Sequence, residues 1–138
     1  MLKKKLKSKN LKIDIIMIKK EVAINLFGLI RDIKNSNLSR EALVKYIMLR
    51  VKLKSLFDEF EKAREEISEQ VKPTDWKESD GMEAWDEKFR PVMQKWLTEE
   101  TEIDTKIFNQ EECADLISSN PDLSGSAIDL IVSGLLHE

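Results

Sequence analysis

Ala42, Tyr46, Leu49, Leu53, Leu56, Phe60, Ala63 and Ile67 recur at alternating steps of four and three residues. Seven residues span close to two turns of α-helix, so this spacing keeps the apolar side chains on one seam for nearly four heptads. A strand repeats every two residues and cannot produce such a pattern. The spacing predicts one helix over 38–71, about 50 Å long at 1.5 Å per residue. Leu43, Ile47, Val51 and Phe57 widen the stripe beyond a two-stranded seam. A rod of this length needs covering elements on both halves.

The flanking sequence offers them. Val22, Leu26, Leu29 and Ile33, with Ile18 and Ile30 beside them, predict an amphipathic helix over 18–34. Gly28 inside it costs about 1 kcal/mol relative to alanine and is read as marking a close helix crossing. Asn37 or Ser39 supplies the N-cap of the rod. After a turn-rich link over 72–81, Met82, Trp85, Phe89, Val92, Met93 and Trp96 share one face of a third helix, with Pro91 as a kink or restart. Ile103, Thr105 and Ile107 alternate with charged residues, the one strand-like stretch; it forms extended coil or pairs with another subunit. Asn109 and Glu112 predict a capping box for a helix over 110–118, and a last helix follows over 124–136. The expected fold is mainly α: a long central helix flanked by antiparallel helices, with at most one short β element near 101–108. At 138 residues this is a single helical domain over 17–138.

Residues 1–16 form a lysine-rich arm. Its apolar run is short, contains Asp14 and precedes no small-residue cleavage site, so it is not read as a secretion signal. Two readings stay open: a basic, disordered arm, or upstream sequence ahead of a true start at Met17. No apolar run approaches the ~18 residues that span a bilayer. One cysteine cannot form an internal disulfide. The chain is expected to be neither secreted nor membrane-spanning.

Catalytic groups are scarce. His137, the only histidine, lies next to the C-terminus, so no catalytic triad is expected. Cys113 reads as a small buried hydrophobe. Carboxylates are abundant but lie off the apolar seam, and no Cys/His cluster or phosphate-cradling glycine loop occurs. No cofactor, metal or enzyme activity is expected.

Charge is distributed unevenly. Residues 1–54 carry 15 Lys and Arg against 4 Asp and Glu, and residues 55–138 carry 8 against 22. Along the rod, Arg40, Lys45, Arg50, Lys52 and Lys54 occupy the first half, and Asp58, Glu61, Glu65 and Glu69 the second. These residues, with Trp76 in the link, are the interaction candidates. Trp85 and Trp96 belong to the core face. Two antiparallel chains would set each basic half beside an acidic half, so a homo-oligomer is expected, or a partner of complementary charge. Nucleic acid could meet the basic half, but no aromatic interleaving supports it.

The order of parts resembles an uncharacterised family of small tailed-phage and prophage proteins. "FEKAREEI" (Phe60–Ile67) and "EETEID" (Glu99–Asp104) carry the resemblance, which spans residues 20–136. It implies a phage accessory or structural protein acting through protein–protein contacts in particle assembly, and it brings no catalytic residues. The alternative is a small regulator that binds a host factor or nucleic acid through its basic N-terminal half.

Overall fold

The computed structural model describes residues 16–138; the basic arm, apart from Ile16, lies outside the described residues. In chain order the elements are β1 (Met17–Lys19), α1 (Lys20–Asp32), α2 (Arg40–Gln70), α3 (Glu83–Thr98), β2 (Glu100–Glu102), α4 (Gln110–Ser118) and α5 (Gly125–Leu135). A short 3-10 turn, Glu78–Asp80, precedes α3. The chain is mainly α, and the heptad seam forms one uninterrupted 31-residue helix, as its spacing predicts. Ser39 is its N-cap, accepting from the Ala42 N–H. Asn37 instead donates to Ser118 and Ser119.

Two helices cover α2 in succession. α1 folds back along its first half, where the Tyr46 hydroxyl donates to the Ile30 carbonyl at 2.6 Å. That carbonyl belongs to the last turn of α1 and has no partner within the helix, so the bond closes an end that burial would otherwise leave unsatisfied. α3 runs back along the second half, where Trp85 Nε1 donates to the Ser68 carbonyl in the last turn of α2. Between the coverings lies a ladder of rings. Phe27 of α1 meets Phe57, Phe57 meets Phe60, and Phe60 meets Trp96 of α3, with centroids 5.0–5.9 Å apart. Leu53 and Leu56 are fully buried at this junction.

α3 and α1 are thereby placed end to end. The Lys20 N–H, one of the unpaired donors at the start of α1, donates to the Glu99 carbonyl just past the end of α3. Lys20 Nζ pairs with the Glu99 carboxylate at 3.0 Å and lies 4.3 Å from the Trp96 ring centre. The antiparallel pair β1–β2 completes the clip, with Ile18 opposite Thr101. Only Thr101 and Glu102 of the strand-like stretch pair, with residues expected to begin the first helix, whereas Ile103, Thr105 and Ile107 lie in no strand and Phe108 makes an isolated bridge with Leu136. Helix α1 starts two residues later than its periodicity suggests because Ile18 is committed to the ladder.

The C-terminal segment covers the α1 side of the first half only. Phe108, fully buried, exchanges backbone hydrogen bonds with Leu135 and His137, and Thr105 donates to the Gly134 carbonyl. The close helix crossing is at Gly134, where an added Cβ would lie 2.7 Å from a Leu26 methyl. Gly28, expected to mark a crossing, has open space around it. Pro91 does not restart the helix, since α3 continues through it from Glu83 to Thr98.

Candidate interaction surface

The buried seam of α2 comprises Ala42, Tyr46, Leu49, Leu53, Leu56 and Ile67, with Phe60 and Ala63 half-covered where α3 alone packs. Diametrically opposite, at 100° per residue, lie Val44, Ile47, Met48 and Val51. They are 53, 51, 58 and 65% exposed. Their spacing of i, i+3, i+4 and i+7 makes them one stripe, two turns long. The first half of α2 therefore has two apolar faces, and the described residues cover only one. Ile47 and Val51, which widen the stripe in sequence, belong to the uncovered face.

Basic side chains wall this stripe. On the same helical projection Arg50 and Lys54 border one edge, Lys45 and Lys52 the other, and Arg40 lies one turn before Val44. Arg40, Arg50 and Lys52 make no ion pair among the described residues. Lys54 pairs with Asp58 one turn on. Lys45 reaches sideways to Glu112 at 2.9 Å.

Glu112 is a junction in its own right. Its carboxylate accepts from the Asn109 N–H while Asn109 caps its own N–H, the capping box expected at the start of α4. Burial alone would raise the Glu112 pKa, but the Lys45 hydrogen bond, the Asn109 N–H and the Lys45 charge outweigh it and hold the carboxyl below its usual range. Its neighbour Cys113 is buried, and burial first, then the Glu112 charge, push the thiol pKa up. That leaves an unreactive thiol.

The second half of α2 looks different. Asp58, Lys62, Glu65 and Glu69 continue the outward face with no large apolar side chain among them, and Glu61 pairs with Arg64. Glu65 and Glu69 border a shallow cleft with Met82, Trp85 and Phe89. Trp76 is half-buried at the tip of the α2–α3 hairpin. Its Nε1 donates to the Gly81 carbonyl at 2.7 Å and its ring stands edge-on to Trp85 at 4.8 Å. Gly81 holds φ at 71°, a left-handed conformation that glycine adopts without strain. Lys72 lies over both rings. Trp76 therefore closes the turn, and its indole N–H is already used.

The interaction candidates separate accordingly. The five basic residues converge around an apolar stripe, whereas the four acidic ones spread along a charged face. Val44 and Met48 were absent from the sequence reading, although their spacing against Ile47 and Val51 signals a second apolar face. Beside Met48 a cleft of about 280 Å³ opens between α2 and Ile107, bounded by Lys52 and Asp104. Among the described residues no group of three or more His, Cys, Asp or Glu could hold a metal ion, and no helix is long and apolar enough to cross a membrane. Comparison with protein-family models, curated proteins and solved structures returned no match.

Proposed function

We propose that this chain works without catalysis, by protein–protein contact, as an accessory or structural component of a phage-type particle-assembly process. The supporting observation is the exposed stripe on α2. Four large apolar side chains, each more than half exposed, form one contiguous face on a helix whose opposite face is fully packed. Exposed apolar residues scattered singly need no explanation, but a contiguous and walled set marks a contact surface. The phage setting comes from the resemblance of Phe60–Ile67 and Glu99–Asp104, and the contact mode from the surface.

The test is a double variant, Ile47→Ser with Val51→Ser, at positions with no packing role. It is expected to match the parent in circular dichroism and melting temperature. Proteins that co-purify with the parent from lysogenic or infected cells are expected to be lost with the variant, and particle yield to fall. A normally folded variant that keeps every partner and full yield would refute the reading.

The second reading is a regulator engaging a host factor or nucleic acid through the basic half. Arg40, Arg50 and Lys52, free of acidic partners among the described residues, favour it. Anisotropy with labelled duplex DNA distinguishes it, because phosphate binding would fall steeply with salt and be insensitive to the serine pair.

A further inference from the structure

We draw no further inference here: the strongest candidate, the exposed apolar stripe of Val44, Ile47, Met48 and Val51 on the outward face of α2, carries none, because Lys45 and Lys54 beside it are already paired with Glu112 and Asp58, Glu41, Glu59 and Asp104 lie around it, and nothing in the structure shows what covers it.

Discussion

Replacing Glu112 with glutamine keeps the shape of the side chain and removes its charge. In the parent, the carboxylate accepts two hydrogen bonds, one from the ammonium of Lys45 and one from the Asn109 N–H, while its side chain is only 9% exposed. Hydrogen bonds to charged groups contribute about 1.5–3 kcal/mol, against about 1 for neutral pairs, so the neutral amide forfeits about 1 kcal/mol at each bond. The amide is cheaper to bury, which returns part of this. Lys45, 40% exposed, regains water rather than standing as a buried unpaired charge. The expected net loss is about 1–1.5 kcal/mol, or about 3–5 °C in melting temperature for a domain of this size.

The loss must also depend on pH. The Glu112 carboxyl titrates below its ordinary value in the folded chain, so its contribution is complete above the unfolded carboxylate range near pH ~4.3 and is lost as pH falls through the folded value. Urea unfolding of parent and Glu112→Gln at pH 7, 5 and 3 measures this directly. The gap between them should be full at pH 7 and narrower at pH 3. A gap of the same size at pH 3, or none at pH 7, would show that the charge of Glu112 does not hold α4 to α2.

Gly28→Ala should stabilise the chain by up to about 1 kcal/mol, seen as a rise of a few degrees in the melt, because the added methyl meets nothing within 4 Å. Gly134→Val should cost about 2 kcal/mol or more, since even a Cβ there would overlap a fully buried Leu26, and a calorimetric melt would report it. Tyr46→Phe keeps the ring but orphans the Ile30 carbonyl, so chemical denaturation should show a loss of about 1–3 kcal/mol.

The parts of this molecule legible in sequence are those set by local repetition. The seam from Ala42 to Ile67 names its own helix, and Asn109 with Glu112 names its own cap. The parts that were not legible depend on residues far apart in the chain. Ile18 reads as a helical residue by period and becomes a strand residue because Thr101 meets it across the clip. Gly28 and Gly134 look alike in sequence, and only the position of Leu26 makes one a crossing and the other replaceable. The stripe was half visible. Ile47 and Val51 read as a widening of the packed stripe because apolar residues on a long amphipathic helix are usually covered, but α1 and α5 lie on the other side. Trp76 reads as an interaction candidate in sequence, and only the distant placement of Trp85 and the turn at Gly81 show that it closes the hairpin.

The end-to-end placement of α3 and α1 along a single α2 also bears on how the molecule breathes. Around Leu49 and Leu53 the rod is held by the C-terminal layers as well as by α1, whereas near Ile67 it has α3 alone. Amide protons in one continuous helix should therefore exchange on a gradient, slowest around Leu53 and fastest towards Gln70, with α3 and the Trp76 turn opening in the same subglobal event. The clip between β1 and β2 is where such an opening would stop. Its two strands lie about eighty residues apart in sequence, so separating them means giving up the loop closure that ties both halves together. The distal hairpin can then melt and reform many times while the proximal half, with its exposed stripe, keeps its shape.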